Sequence, residues 1–331
     1  MLQHHFRLAT RYLLKDIHTT ALNILGLALG VAVCLTVAIW LERELSFDNF
    51  HPDADRIFRL TNTFKSETES FSQAGSQFAH GVYLPREVAQ ITEGCRFIDD
   101  LLLVNANEKQ FFEENILTAD SNFFHFFGFK LLEGDPQTCL NSPDKIVLTK
   151  TIARKYFGSA NPIGKPFKVD EYQFMVSALA ADPPDNSHIR FSMVWPVARL
   201  DQIARAEWGI PNGLDEEWLG GWPWVYLRLQ DGTQRIAAEK EVNAVCRRHS
   251  GMQQDSNRMA YTYHLQPLRD IHLGTGLRYD ADNNGSKSLV WVFAAVGFVV
   301  LLLACINYIN LTTAGAMKRA RETAVKKVEI G

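Results

Sequence analysis

Two stretches decide how this chain is read: residues 17–41, IHTTALNILGLALGVAVCLTVAIWL, and residues 289–312, LVWVFAAVGFVVLLLACINYINLT. Neither contains Asp, Glu, Lys or Arg. At about 1.5 Å rise per helical residue, about 20 residues cover a hydrocarbon core about 30 Å thick, so each run is long enough to cross a membrane with length left for tilt. A cleaved signal peptide competes for the first run, because Arg7, Arg11 and Lys15 precede it. That reading is weaker: the apolar run exceeds a signal h-region, no A-x-A site precedes Glu42, and a second span follows downstream. The expectation is an uncleaved anchor and two crossings with a large domain between them.

Bulk composition conceals this segregation, since 47% hydrophobic residues, 21% charged residues and a net charge of −3 sit near the globular average. The short flanks are basic, with Arg7, Arg11 and Lys15 before the first run and Lys318, Arg319, Arg321, Lys326 and Lys327 after the second. By the positive-inside rule both ends read as cytoplasmic. The flanks carry +5 and the middle −8, which argues against a nucleic-acid partner. Cys34 and Cys305 lie in the apolar runs; Cys95, Cys139 and Cys246 allow at most one disulfide, and none is expected at such irregular spacing.

Between the crossings, strand-like and helix-like stretches alternate, which points to an α+β or α/β domain. Residues 56–64, 145–149, 166–169, 172–179, 224–230 and 261–268 read as strands from their β-branched and aromatic content. Asp170-Glu171 reads as a two-residue hairpin turn. Residues 76–90 (interrupted by Pro85), 121–128, 149–158 and 233–251 read as helices. Taking the outer units as partners predicts one discontinuous subdomain, 56–92 plus 222–272, and one inserted subdomain, 95–215. The loop-rich stretch 208–224, WGIPNGLDEEWLGGWPW, supports a boundary near 210.

The chemistry is sparse. GSANPIGK (158–165) is a poor phosphate loop: five residues separate its glycines, and Pro166 stands where a Ser or Thr should bind magnesium. H-E-x-x-H, G-x-S-x-G and paired-cysteine signatures do not occur. No catalytic, cofactor-binding or metal-ligating residue is therefore assigned and no enzyme activity is expected. His51, His80, His125, His188, His249, His264 and His272 are scattered and read as surface or capping residues. FFHFFGF (123–129) reads as core.

The crossings carry more. Gly26, Gly30, Cys34 and Ala38 recur every four residues and predict a helix-packing face; Asn307 and Asn310 predict interhelical hydrogen bonds. Beyond them, Ala316, Ala320, Ala324 and Val328 form an apolar stripe among Lys318, Arg319, Arg321, Lys326 and Lys327, the pattern of a basic amphipathic helix that suits anionic lipid or a cytoplasmic partner. Residues 1–16 have a similar interfacial character.

The chain resembles the MacB/FtsX-like family of ABC-transporter permeases. The resemblance rests on residues 23–60, on FFGFKLLEGDP (126–136), IVLTKTIARKYFGSANPIGKPF (146–167) and LQPLRDIHL (265–273), and on LLACINYINLTTAGAMKRARETAVKKV (302–328). It implies a periplasmic core domain of two subdomains, one discontinuous and one inserted, in an inner-membrane protein. It further implies a separate cytoplasmic ATPase subunit as partner, contacted through Arg319, Arg321, Glu322, Lys326 and Lys327. Further partners are membrane lipids, remaining permease helices or a second permease copy, and a periplasmic protein; no cofactor is implied. Family members continue into further spans, so the expectation is the N-terminal part of a longer permease. The alternatives are a non-transporting subunit that regulates a periplasmic enzyme mechanically, and a two-span receptor.

Overall fold

The computed structural model describes residues 17–106, 109–218, 220–249, 259–280 and 285–329. The chain divides into two compact units, one holding the chain ends up to Ser46 and from Ser286, the other running from Phe47 to Gly285.

The first unit is a helix pair. Helix α1 spans Ile17–Leu45 and the last helix, α7, spans Lys287–Glu329 without a break. The basic segment expected as a separate helix after residue 312 is therefore the continuation of the second apolar run. Residues 1–16, expected to be interfacial, lie outside the described residues. Both helices present apolar side chains outward, Leu22 at 72% and Trp291 at 76% exposure among them. Such a surface requires an apolar solvent. Thr36, Thr312 and Thr313 turn their hydroxyls back onto the carbonyls of Ala32, Tyr308 and Ile309, which pairs these three donors within the helices.

The second unit is a mixed sheet covered by helices. Its elements in chain order are β1 (Ile57–Ser66), β2 (Ser70–Gln73), α2 (Phe78–Glu87), β3 (Ile91–Ala106), β4 (Lys109–Ala119), α3 (Phe123–Phe127), β5 (Leu131–Glu133), β6 (Lys145–Thr149), α4 (Lys150–Phe157), β7 (Pro166–Val169), β8 (Tyr172–Ala180), β9 (Met193–Pro196), α5 (Val197–Glu207), β10 (Trp224–Leu229), α6 (Arg235–His249) and β11 (Met259–Pro267). The strand order is β11-β1-β10-β3-β4-β9-β6-β8-β5, with β2 on β1 and β7 bridging β3 and β8. The β4–β9 and β6–β8 pairs are parallel and the other named pairs antiparallel.

The strands and helices read from the sequence are present within a few residues, and Asp170-Glu171 is the tip of the β7–β8 hairpin, with Val169 paired to Tyr172. GSANPIGK forms the end of α4 and a turn into β7. Six of these elements were not foreseen: β2, β3, β4, β5, β9 and α5. Strands β3 and β4 carry Glu93, Asp99, Asp100, Glu113 and Glu114, which disguise a long hairpin. Two of those charges are matched in three dimensions: Glu113 accepts from Tyr156 Oη at 2.7 Å and pairs with Lys155, and Glu93 pairs with Arg228 at 3.0 Å. Helix α5 packs Val197, Leu200 and Ala204 against Phe78 and Leu214.

Strand alternation sorts the core. Val225, Leu227 and Leu229 of β10 face α2 and α6, meeting Leu84, Val242 and Val245. Tyr226 points to the other face, into a cluster with Phe97 and the four phenylalanines of α3. A five-residue helix has no stability of its own. Burying Phe123, Phe124, Phe126 and Phe127, worth about 2–3 kcal/mol per side chain, holds it in place. A third cluster joins Val104, Ile116, Ile146, Ile152, Phe167 and Phe174. The subdomain boundary expected at 92–95 falls inside β3, whose first half pairs with β10 and whose second half pairs with β4.

Strand β11 is the sheet edge, and α6 closes it. Asn243 receives the Tyr263 N–H and donates to the Tyr263 carbonyl; Glu239 receives the Leu265 N–H; Arg235 donates to the Leu265 carbonyl. Side chains thus occupy backbone groups that would otherwise template another strand.

Helix α2 lies against β3 at a glycine contact. A Cβ on Gly94 would stand 2.3 Å from the Gly81 carbonyl oxygen, and one on Gly81 would stand 2.4 Å from Arg96 Cγ. Gly94→Ala should therefore force α2 off the sheet and cost about 1–3 kcal/mol. Thermal unfolding should detect it as a fall of about 2–4 °C per kcal/mol for a domain of this size. An unchanged transition would show that the contact is loose.

Candidate functional site: a buried ion network

Asp48 lies three residues beyond α1, fully buried and in the left-handed region at φ 60°. Its own N–H bonds the Asn186 carbonyl at 2.9 Å, its Oδ1 receives the backbone N–H of His188 at 3.0 Å, and its Oδ2 lies 2.8 Å from His188 Nδ1. An aspartate left in this position unpaired would cost several kcal/mol. The loop DPPDNSH (182–188) therefore has a structural purpose: it delivers one imidazole to one carboxylate.

The imidazole passes the contact on. With Nδ1 committed to the carboxylate, Nε2 faces the Tyr226 hydroxyl at 2.7 Å and accepts from it. His51 flanks the carboxylate, donating from Nδ1 to the Phe127 carbonyl at 2.6 Å while its Nε2 stands 3.6 Å from Asp48 Oδ1. Next to Tyr226, Arg59 of β1 holds Asp280 with two hydrogen bonds, 2.6 and 3.1 Å, and Gln266 of β11 with two more, 3.2 and 2.9 Å. Asp280 lies seven residues before α7. Phe47 and His272 stack in parallel beside the network, ring centres 3.3 Å apart.

Burial alone pushes the Asp48 carboxyl up; the charge and hydrogen bonds of His188, with help from His51, outweigh it and hold the carboxyl well below the usual carboxylate range. Burial pushes the His188 imidazole down, opposed by Asp48. Both directions fit one arrangement, an ionised Asp48 held by a neutral imidazole whose Nδ1 carries the proton. Burial raises the Tyr226 phenol, so the hydroxyl keeps its proton.

The histidines correct the sequence reading. His51, His80, His188 and His272 are buried, not superficial. Burial lowers His80 to about 3, beside the Ser76 hydroxyl at 2.7 Å from Nδ1. None of Asp48, Arg59, Tyr226 or Asp280 was singled out from the sequence, because their partners lie 38 to 221 residues away. Among the described residues no cluster of three or more His, Cys, Asp or Glu side chains is arranged to hold a metal ion.

The residues singled out in the crossings are placed as follows. The two helices run antiparallel: a Cβ on Gly26 would stand 3.3 Å from Asn307 Nδ2, one on Gly30 2.8 Å from Ala304 Cβ, and Cys34 Sγ lies 3.4 Å from the Gly297 carbonyl. The row then passes to Val37 against Gly297 and Trp40 against Phe293. Ala38 and Asn310 are exposed instead. At 3.6 residues per turn, a strict four-residue repeat drifts off one face within a few turns. Arg319, Arg321, Glu322, Lys326 and Lys327 lie on α7, with side chains outside the described residues.

Residues 20–245 match the sequence profile of the MacB-like periplasmic core domain. The chain belongs to this family. It is a MacB/FtsX-like permease by that membership, with a mixed α/β periplasmic core domain between two candidate membrane helices, Ile24–Leu45 and Lys287–Asn310. No curated protein matches the chain at comparable significance. Among solved structures, a domain assigned to a permease protein from Porphyromonas gingivalis is similar at 17% identity and a TM-score of 0.56, covering 73% of this chain and 98% of that one. The periplasmic region of MacB from Actinobacillus actinomycetemcomitans matches at 16% identity and a TM-score of 0.42, over 61% of this chain and 87% of its own. The extracellular domain of the noncanonic ABC-type transporter YknZ from Gram-positive bacteria matches at 12% and 0.43, over 62% and 99%. At such identities the Porphyromonas domain shares a fold with this MacB-like domain, and nothing finer.

Two outcomes test the network. Arg59→Met leaves Asp280 buried without its counter-charge and should cost about 3–5 kcal/mol, read by denaturant unfolding. The double variant Arg59→Met/Asp280→Leu should recover a large part of that loss; equal stability of single and double variants would show that the pair is not coupled. Acid should also unfold the MacB-like domain early. His80 and His188 are depressed in the folded state, so the unfolded chain binds protons below about pH 6.5 that the folded chain refuses, and stability present above that pH is lost as pH falls. At pH 5 this amounts to about 2 kcal/mol for His80, and His188 adds to it in the same direction. Asp48 adds a second loss below about pH 4. His80→Gln should flatten the slope between pH 6.5 and 5.

Proposed function

We propose that the chain works as an ABC-transporter permease, in which a separate cytoplasmic ATPase drives a shape change of the periplasmic domain that exports or releases a substrate. The observation that carries this reading is the buried network. It joins the segment that follows α1, at Phe47 and Asp48, to the segment that precedes α7, at His272 and Asp280, through strands of the sheet. A relative displacement of the two helices would have to break buried charge pairs or move the strands that hold them. The second is the smaller cost, so helix motion is transmitted into the domain rather than absorbed in a linker.

In this reading the helices span the inner membrane with both ends cytoplasmic, supported by their exposed apolar surfaces and basic flanks. The basic end of α7, with Arg319, Arg321, Glu322, Lys326 and Lys327, meets the ATPase. Because α7 is one helix from Lys287 to Glu329, a push at its basic end travels along a continuous rod. Gly26, Gly30, Cys34 and Asn307 hold α1 against it, and further permease helices or a second copy cover the remaining apolar faces, Ala38 and Asn310 included. The domain itself comprises a discontinuous subdomain, 56–92 plus 222–272, and an inserted one, 95–215, supported by their separate hydrophobic clusters. The chemistry lies with the ATPase; the permease is not itself an enzyme.

Charge reversal at Lys326→Glu and Lys327→Glu should abolish co-purification of the ATPase from membranes while the permease stays in the membrane fraction. Retained co-purification would sink the assignment of that segment, and failure of the wild-type chain to bring down any ATPase would sink the reading as a whole.

A further inference from the structure

The β3–β4 hairpin outruns the rest of the sheet. Strand β4 pairs with β3 back to Lys109, opposite Ala106, yet its other neighbour, β9, joins it only at Ile116, opposite Met193. Ser192 closes the last step before that contact, its N–H on the Asn115 carbonyl and its hydroxyl on the Glu114 carbonyl, both at 2.8 Å. Among the described residues no strand pairs along the remaining edge, 109–113. A strand points backbone donors and acceptors to both sides, so this stretch offers hydrogen-bonding groups that no neighbour takes up. The two outer edges of the sheet are protected: α6 side chains occupy the β11 backbone, and β5 is only three residues long. The charge that β4 turns inward here, Glu113, is neutralised by Lys155 and Tyr156 and so does not guard the edge.

Apolar and basic groups flank this edge. Phe111 is 45% and Phe112 72% exposed, on opposite faces of the strand, and they are the only exposed phenylalanines among the described residues of the domain. Register places α4 on the same side of β4: Thr149, the last residue of β6, donates its N–H to the Ser192 carbonyl, so α4 sets out level with the end of the β4–β9 contact. There Lys150, Thr151, Arg154, Lys155 and Asp182 line a cavity of about 510 Å³. Lys155 joins cavity to edge, since its Nζ pairs with Glu113 and lies 4.3 Å from the centre of the Phe111 ring. Asp182 is committed to the Thr151 N–H at 3.2 Å, whereas Lys150 and Arg154 form no ion pair among the described residues. The concavity beside the edge therefore holds a surplus of positive charge within an acidic domain.

We propose that the outer edge of β4 takes an extended acidic segment of another protein as an added strand. The segment's backbone pairs along residues 109–113, its carboxylates lie on the α4 face toward Lys150 and Arg154, and its apolar side chains lie on the opposite face against Phe112. Backbone pairing supplies affinity, and the cavity supplies the preference for acid. The site stands whether or not the chain moves a substrate. The probe is a fluorescein-labelled peptide alternating valine and glutamate, titrated by anisotropy onto the full chain in lipid nanodiscs, with empty nanodiscs as the blank. It should bind saturably, and the same peptide N-methylated at alternate residues, in the phase that blocks pairing, should bind about tenfold more weakly. Lys150→Glu/Arg154→Glu, both at exposed positions, should weaken the parent peptide about fivefold, and a valine–lysine peptide should not bind. Undiminished binding of the peptides N-methylated in either phase, undiminished binding by the charge-reversed variant, or the absence of saturable binding each overturns the site. Mass photometry of the same samples tests the other occupant: a dimer that Phe112→Glu dissolves, with no peptide bound, would place a second copy of this chain on the edge and overturn the peptide site.

Discussion

An ionised carboxylate cannot be left in a protein interior without partners, and Asp48 is the carboxylate on which this structure turns. Its partners are a backbone amide and an imidazole from a loop 140 residues away. The imidazole leans on Tyr226 in the middle of the sheet, and Arg59 beside it is neutralised by Asp280 at the far end of the domain. Segments remote in sequence must therefore assemble together, because any one arriving alone would bury a charge or an unsatisfied donor. Such a network adds little net stability beyond a well-packed apolar substitute; its effect is to make one arrangement much better than its neighbours.

The rest of the domain frames that network. Tyr226 is placed by β10, whose alternate residues anchor α2 and α6 on the opposite face. Phe97 and Phe127 pack against the Tyr226 ring, one stacked and one edge-on, so the aromatic cluster of α3 fixes the orientation of the phenol. His51 donates to the carbonyl of Phe127 and thereby ties the same short helix to the charge cluster. Core packing and polar pairing are one construction here.

Family membership and structural likeness act at different levels. The profile match covers the first helix and most of the domain, whereas the Porphyromonas domain shares the fold at 17% identity. A fold survives such divergence because alternation, core volume and turn chemistry specify it, not particular side chains. The same tolerance means that residues outside the packing pattern, such as Phe111 and Phe112, must be understood from this chain's own geometry.

Local physics made much of the molecule legible from sequence. Uncharged runs long enough to cross a bilayer identify α1 and α7, β-branched alternation identifies β1, β6, β8 and β10, and the density of phenylalanine in FFHFFGF marks a core helix. These signals live within a window of a few turns. The β3–β4 hairpin was hidden because Glu113 and Glu93 meet their partners, Tyr156, Lys155 and Arg228, only once the chain has folded. The buried histidines were hidden for the same reason: an imidazole reads as a surface residue until its carboxylate is known. Sequence by itself determined where the chain leaves water, since hydrophobicity is a property of each segment. Tertiary structure alone decided which charges are buried and paired, since pairing belongs to residues that meet only in space.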